Sequence, residues 1–308
     1  MFKRFSNRQL MIALGVIAGL YLLTFAFGGR RERSFRATIS SLDTAQVSSL
    51  RIEPALGGEV RLDRKGSTWE VKLPNGTGAA TAAGVVARAL GQIGRLEARQ
   101  LVSRKRDDWA AYQVDSSGTR VQVLADDKTV LDLVIGRFAY QGSSMSTYVR
   151  LHDEDEVYAV GAFLESEFNR KADDWRDRTL IRGNRSEWRS LAFRYPADSS
   201  YTLLQDLGGN WILADSSSLD NTAVNTYLNS LANTRGTTFA DASPTGSTPL
   251  MELLIQTTGG TPIEVKAYEG PRGALLLSSQ NPGVFFSDES GDLMRRIFVG
   301  KGRFVGGS

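Results

Sequence analysis

The longest uninterrupted apolar stretch of the chain runs from Leu10 to Phe27 and contains no charged residue. As an α-helix with a rise of about 1.5 Å per residue, these 18 residues would extend roughly 27 Å, close to the ~30 Å hydrocarbon core of a bilayer. The pattern therefore predicts a single transmembrane helix over residues 10–27, with a cytoplasmic N-tail at 1–9 and a linker at 28–40.

The flanks of this run suggest how it would sit in a membrane. Residues 25–31 (FAFGGRR) lack the A-x-A pattern of a cleavage site, so an uncleaved anchor is favoured over a signal peptide, with a buried core helix as the other alternative. Basic residues are nearly balanced on the two sides, and a short basic tail before the run is typical of an anchor whose N-terminus is cytoplasmic. We expect an inner-membrane protein whose body lies on the periplasmic side.

After the linker, apolar and polar residues alternate with the period of two that is typical of half-buried strands. Each half of the chain has the same series of three strands, a helix, four strands and a short closing helix. The first series begins at Val47 (VSSLRIEPALGGEVRLDRKGSTWEV) and the second at Trp188 (WRSLAFRYPADSSYTLLQDLGGNWIL). We expect an α+β fold with a duplicated, mostly antiparallel sheet and two helices per repeat, in repeats 41–182 and 183–300 with a tail at 301–308.

The helices of the two repeats follow from apolar residues with helical spacing. The segment from Thr81 to Ala98 predicts the first helix, and the segment that begins near Asp220, with Ser218 or Asp220 as its N-cap, predicts its counterpart. The short closing helix of the first repeat contains Phe163, Leu164 and Phe168 on its apolar face. The sequence leaves open whether the repeats are two domains or one fused sheet.

The charge of the chain is concentrated beside the apolar run. Removing the seven basic residues around the run and Glu32 from the 37 basic and 34 acidic residues leaves 30 and 33, so the body is slightly acidic. This distribution argues against nucleic acid as a partner and favours anionic lipid near the run. The absence of cysteine excludes disulfides, thiol catalysis and thiolate metal sites.

The inventory of reactive residues predicts a protein that is not an enzyme and has no cofactor. His152 is the only histidine, which excludes a three-histidine zinc site and an HExxH helix. It lies in the turn LHDEDEV, a poor place for an oriented base. The run Asp153–Glu156 in that turn is typical of a solvated loop, and it lacks the alternating ligand spacing of a calcium-binding EF-hand loop. Neither GxxxxGK[ST] nor GxGxxG occurs in the chain.

Three sets of residues are candidates for contact with a partner. Gly15 and Gly19 form a GxxxG pattern that permits close contact between transmembrane helices. Trp109 and Tyr112 lie in a segment, 101–114, that the second repeat lacks. The third set is the alternating acidic and basic run around a tryptophan, made of Asp173, Asp174, Trp175, Arg176, Asp177 and Arg178. For the second and third sets the alternative is structural, with a buried aromatic ring and ion pairs that fix the chain; tryptophan and arginine also commonly anchor interfaces.

Several of these segments resemble one family. They are the V-x-x-L-x-I-E strand at Val47, KGSTWEV, DDWAAYQV, the STYVR and VYAV strands and, most specifically, ADDWRDRTL at residues 172–180. The chain resembles the DUF4340 family over most of residues 40–240, although Gln113 stands where that family usually has glycine. The resemblance brings no catalytic residues. It implies an accessory component that occurs beside ABC-2-type exporter subunits, which is an association and not a mechanism.

Together these observations favour a non-enzymatic, single-pass, extracytoplasmic scaffold or binding protein of an ABC-type export or envelope complex. Its expected partners are the membrane and the ABC-2-type transporter permease and ATPase. The alternatives are a membrane-tethered envelope hydrolase that uses carboxylates, and a solute- or glycan-binding module with Trp109, Trp175 or Trp211 as a stacking platform.

Overall fold

The computed structural model describes Leu14 and residues 36–141, 144–215, 219–240 and 243–305. The described part of the chain is mostly β-sheet, with 45% of its residues in strands and 18% in helices. It divides into two compact units. The first contains the described residues up to Gly78 together with Gly84–Asp174, and the second contains Ala79–Ala83 and the chain from Trp175 onwards.

The first unit contains nine complete strands, and Gly78 of β5, of a ten-stranded sheet whose order is β1-β6-β10-β9-β8-β7-β2-β3-β4-β5. Neighbouring strands from β1 to β4 pair antiparallel. The strands are β1 (Thr38–Ser41), β2 (Ser49–Glu53), β3 (Val60–Lys65), β4 (Thr68–Lys72), β5 (Gly78–Ala80), β6 (Arg95–Ser103), β7 (Thr119–Ala125), β8 (Lys128–Gln141), β9 (Ser144–Leu151) and β10 (Val157–Val160).

The helices of the first unit are short. They are α1 (Val85–Gly94), α2 (Trp109–Tyr112) and α3 (Glu165–Phe168), with single 3₁₀ turns at Arg106–Asp108 and Ala172–Asp174. The first helix begins after Gly84, whose left-handed backbone (φ 72°) redirects the chain. It is shorter than the predicted segment from Thr81 to Ala98, because from Arg95 onwards the chain is extended and pairs with β1 and β10.

A β-bulge in β8 keeps one apolar face continuous along this long strand. Ile135 pairs with Val149 and Phe138 pairs with Thr147, so β8 has one more residue than β9 between these pairs. Because of the extra residue, Phe138 lies on the same face of the sheet as Ile135. The bulge contains Gly136, where a Cβ atom would lie 2.2 Å from the Tyr112 carbonyl oxygen.

The second unit contains an eight-stranded antiparallel sheet in the order β14-β13-β12-β17-β18-β19-β20-β16 and a two-stranded sheet of β11 and β15. The strands are β11 (Thr179–Arg182), β12 (Trp188–Arg194), β13 (Tyr201–Gln205), β14 (Trp211–Leu213), β15 (Asn233–Arg235), β16 (Thr238–Phe239), β17 (Met251–Thr257), β18 (Ile263–Gly270), β19 (Gly273–Ser278) and β20 (Asn281–Asp288). Its helices are α4 (Asn221–Leu231) and α5 (Asp292–Ile297), with 3₁₀ turns at Arg185–Glu187 and Lys301–Arg303.

The two large sheets share the order of seven of their strands. In each sheet a three-stranded meander (β2-β3-β4 or β12-β13-β14) joins a four-stranded meander (β7 to β10 or β17 to β20) by pairing of their first strands. In each unit a helix, α1 or α4, lies between the two meanders in the chain, and a short helix, α3 or α5, follows the second meander.

The helix α4 covers the core of the second unit. The Asp220 carboxylate caps it by accepting hydrogen bonds from the Thr222 and Ala223 backbone N–H groups, at 2.8 and 3.2 Å. One face of the helix is buried against the sheet, and the Tyr227 hydroxyl donates to the Ile297 carbonyl at 2.6 Å. Of the two predicted N-cap residues, Asp220 is the cap and Ser218 lies outside the described residues.

The predicted fold class needs correction. No helix in the described part of the chain is long and apolar enough to cross a membrane. The longest described helix, α4, has 11 residues and therefore extends only about 16 Å. A fold with an N-terminal transmembrane helix is contradicted, and so is the single-pass location in the inner membrane that was inferred from it. Residues 10–27 lie outside the described residues apart from Leu14, and so do Gly15 and Gly19.

The substitution Gly136→Ala should destabilise the protein by about 1–3 kcal/mol, because the added methyl group would overlap the backbone behind the bulge. Urea unfolding monitored by circular dichroism measures this difference. The matched control is Gly91→Ala in α1, where nothing lies within 4 Å of the added Cβ, and it should stabilise the protein by about 0.5–1 kcal/mol. If both substitutions changed the free energy of unfolding in the same direction, the proposed role of Gly136 in the bulge would be contradicted.

Candidate functional site

The apolar face of β8 and β9 continues to the end of the hairpin, where four large side chains remain at the surface. Tyr140 is 71% exposed, Met145 49% and Phe163 47%. Phe138 lies between two of them, with ring centroids 4.8 Å from Tyr140 and 5.1 Å from Phe163, both edge-to-face. We call these four residues the aromatic patch.

The position of each member of the aromatic patch follows from the sheet. Tyr140 pairs directly with Met145 across the two strands, and the bulge places Phe138 on the same face. Phe163 comes from the turn after β10. That turn is fixed by a hydrogen bond of 2.6 Å from the Thr147 hydroxyl to the Ala162 carbonyl and by the fully buried side chain of Leu164. The residue predicted on the apolar face of a closing helix thus precedes α3 and points to the surface.

A cleft of about 540 Å³ beside Phe163 adds a positive charge to this surface. It is lined by residues of α1, β6 and the turn after β10, including Arg95 and Arg99. Arg95 pairs with Glu97 at 3.3 Å. Arg99 donates a hydrogen bond of 2.9 Å to the Met145 carbonyl, and none of the ion pairs among the described residues includes it. The arginine therefore lies against the aromatic patch with its charge uncompensated by a carboxylate.

Trp109 and Tyr112 make contacts within the first unit. The Trp109 ring lies 3.7 Å from the guanidinium carbon of the buried Arg150, and its Nε1–H donates to the Asp155 carbonyl at 3.0 Å. The Tyr112 ring packs edge-on against Tyr148 at 4.7 Å. These contacts attach α2 to the sheet, and the role of both residues in partner binding stays a prediction.

Arg150 also fixes the turn that contains the acidic run. Its Nη1 group donates to three carbonyl oxygens of the turn, of Leu151, His152 and Glu154, at 3.1, 2.6 and 3.1 Å. The four carboxylates of the run each have a basic neighbour. The pairs are Asp153 with His152 (3.0 Å), Glu154 with Arg36 (2.7 Å), Asp155 with Arg106 (2.7 Å) and Glu156 with Arg104 (3.9 Å).

His152 lies beside a second carboxylate, Asp132, with 3.9 Å between Nδ1 and Oδ2. Asp132 accepts two hydrogen bonds from Arg120, at 2.9 and 2.7 Å, and one from Gln122 at 2.9 Å. Burial alone would raise the pKa of Asp132, but these bonds outweigh burial and hold the pKa below its usual value. A carboxylate held ionised by arginine is suited to a structural ion pair rather than to proton transfer at neutral pH.

The run that begins at Asp173 is divided between the units. Asp173 and Asp174 lie in the 3₁₀ turn that ends the first unit, where Asp174 accepts a hydrogen bond from the Lys171 N–H at 3.2 Å. Trp175 is fully buried in the second unit, and its carbonyl accepts from the Ala82 N–H at 2.8 Å.

The arginines of this run contact one ring. The guanidinium carbon of Arg176 lies 3.5 Å from the centroid of Phe239 and that of Arg178 lies 5.3 Å from it. Asp177 accepts from the Thr179 N–H and hydroxyl at 3.0 and 2.7 Å. The contacts of residues 175–178 join β16 and the segment Ala79–Ala83 within the second unit, and the role of the run in partner binding stays a prediction.

The described residues contain no group of three or more histidine, cysteine or acidic residues that could hold a metal ion.

The aromatic patch is not among the residues that the sequence predicts for contact with a partner. Its signal in the sequence is the unusual length of the apolar pattern in β8, which continues through Phe138 and Tyr140 to the end of the hairpin.

The family model described as a domain of unknown function (DUF4340) matches residues 72–250, a range that includes the aromatic patch. No curated protein and no solved structure matches the chain.

Asp132→Asn should destabilise the protein at pH 7 by about 1.5–3 kcal/mol, the usual value for hydrogen bonds to a charged group. Because its folded-state pKa is lowered, the stabilisation by Asp132 is fully present above the unfolded pKa of about 3.9 and is lost as the pH falls through the folded-state pKa. Urea unfolding at pH 7 and below pH 3 measures the difference. The loss in the free energy of unfolding should be smaller in acid than at pH 7 for Asp132→Asn. For the control Asp107→Asn it should be small at both pH values. A loss in Asp132→Asn that does not change with pH would contradict this role of Asp132.

Proposed function

The chain belongs to the DUF4340 family, and from this premise we propose that it is a non-catalytic binding protein that docks a protein partner on the aromatic patch of its first unit. The observation that carries the proposal is the exposure of Tyr140, Met145 and Phe163 side by side on one hairpin and the turn after β10. Single exposed apolar side chains are ordinary, whereas a contiguous group of aromatic and methionine side chains is typical of interfaces.

The packing around the patch supports this proposal. Phe138 packs against two of the exposed residues, and Leu164 and Thr147 fix the turn that presents Phe163. Aromatic anchors that are held in place before binding lose little conformational entropy when a partner covers them, so they contribute strongly to affinity.

The chemistry of the partner follows from the charge beside the patch. The partner segment should contribute apolar side chains to the patch and a carboxylate to Arg99, whose guanidinium lies against the Met145 backbone. We propose the permease or ATPase of an ABC-type export complex as the protein that supplies this segment, since the family resemblance associates the chain with such subunits.

The alternatives have less support. A hydrolase that uses carboxylates would need an acidic residue available for catalysis, but the acidic run is matched by basic neighbours and Asp132 is held by Arg120. A glycan-binding module would need an exposed tryptophan face. Trp175 and Trp211 are buried, and Trp109 is in contact with Arg150.

Site-specific photocrosslinking at Tyr140 tests the proposal. A photoreactive phenylalanine analogue at position 140 should crosslink the full chain to an ABC-type subunit that mass spectrometry identifies, because the side chain would lie inside the interface. The matched control is position 56 in the same unit, where Leu56 is also exposed but lies outside the aromatic patch.

Crosslinks to the same subunit should be at least about tenfold weaker from position 56 than from position 140. Equal crosslinking from both positions, crosslinks only to a second copy of the chain, or none at position 140 would refute the proposal.

A further inference from the structure

The second unit contains a cleft of about 670 Å³ where four segments of the chain meet. These are the turn between β12 and β13, the end of β14, the start of β17 and the segment that follows α5. The floor of the cleft is apolar and largely aromatic, formed by Tyr195, Tyr201, Leu213, Met251 and Phe298. A volume of this size with an apolar floor and a few polar groups is typical of a ligand-binding cleft.

The two tyrosines of the floor cannot donate hydrogen bonds to a ligand. Both hydroxyls donate to the same acceptor, the Val299 carbonyl, at 2.7 Å each. Burial raises the pKa of both tyrosines well above the usual value, so they keep these protons. What remains on each oxygen is its capacity to accept.

The hydroxyl groups of the two rim serines also donate to backbone carbonyls. The Ser199 hydroxyl donates to the Pro196 carbonyl at 2.9 Å, and the Ser200 hydroxyl donates to the Tyr195 carbonyl at 3.3 Å. These bonds hold the turn between β12 and β13, and the Ser200 hydroxyl also accepts from the Tyr195 N–H at 3.0 Å. The protons of these two tyrosines and two serines are therefore used inside the fold, and their remaining capacity is to accept.

The charged residues of the cleft also favour a ligand that donates hydrogen bonds. Its lining has one basic group, Lys301, which forms an ion pair with Asp215, another lining residue. The third charged group is the exposed carboxylate of Asp198, and no basic side chain in the part of the chain that the structure describes forms an ion pair with it. The cleft has one negative charge in excess, above an aromatic floor.

We propose that this cleft binds an alkylammonium or alkylguanidinium group, with the apolar stem on the aromatic floor and the charged head beside Asp198. Such a group is rich in donors, carries the complementary charge and is attracted to aromatic rings. Lys301 already places one alkylammonium group at the edge of the same cleft, beside a carboxylate. The ligand is either a free polyamine or a lysine or arginine side chain of a protein, and the site is independent of the aromatic patch in the first unit.

Methyl NMR of the full chain labelled at methionine tests the proposal, with the Met251 signal assigned by comparison with Met251→Leu. The probes are N-acetyl-lysine N-methylamide, its Nε-acetylated form and spermidine. A single amine should shift the Met251 signal with a Kd of about 1–10 mM, since so small a ligand gains little binding energy. The Nε-acetylated probe, which has lost the charge, should bind at least about tenfold more weakly.

Asp198→Asn should weaken binding about fivefold, the effect of one exposed ion pair. The control Glu289→Gln, at another exposed acidic residue of the second unit, should leave the Kd unchanged. Binding of the lysine probe identifies a protein side chain as the source and binding of spermidine alone identifies a free polyamine, and both support the proposal. Equal binding of the acetylated probe, an unchanged Kd in Asp198→Asn, or no shift of Met251 with any amine up to about 50 mM would overturn it.

Discussion

An open antiparallel sheet is stable in water only where one of its faces is covered by apolar side chains, and the helices available for this purpose in the present chain are short. Among its described residues, the first unit has nine complete strands of the ten-stranded sheet but only α1, with 10 residues, and two single-turn helices. The second unit has eight strands in its large sheet, with α4 and α5.

Both candidate binding sites contain apolar or aromatic side chains that stay partly exposed. In the first unit the apolar face of β8 and β9 continues beyond α3 and ends in the aromatic patch. In the second unit the segment around Phe298 and Lys301 lies against the tyrosines of β12 and β13, and the cleft opens between them. In the second unit the tyrosine hydroxyls of the cleft are already used inside the fold, since both donate to the Val299 carbonyl.

The sequence predicts the local elements better than the surfaces. The period-two alternation predicts the strands of both meanders, and Asp220 marks the beginning of α4, because each of these depends on a few neighbouring residues. The predicted helix from Thr81 to Ala98 is too long because pairing with β1 and β10 makes the chain extended from Arg95. Such long-range pairing overrides local helical spacing.

The candidate sites depend on contacts between distant residues, which the sequence pattern does not contain. The Trp109 ring contacts the guanidinium group of Arg150 on β9, and the guanidinium group of Arg176 contacts the Phe239 ring on β16. The exposure of Tyr140 and Phe163 depends on the bulge at Gly136 and on where α3 begins. The membrane-spanning helix was inferred from hydropathy alone, and no described helix has the length and apolar character that it requires.

The central claim is that the aromatic patch docks a subunit of an ABC-type complex. Its most direct test is to purify the tagged chain and the double variant Tyr140→Ser with Phe163→Ser after co-expression with ABC-type permease and ATPase subunits. The claim predicts that a subunit is recovered with the unmodified chain and that its recovery falls at least about tenfold with the double variant, while the variant keeps its circular dichroism spectrum. Equal recovery with both proteins, or purification of the unmodified chain alone, would contradict it.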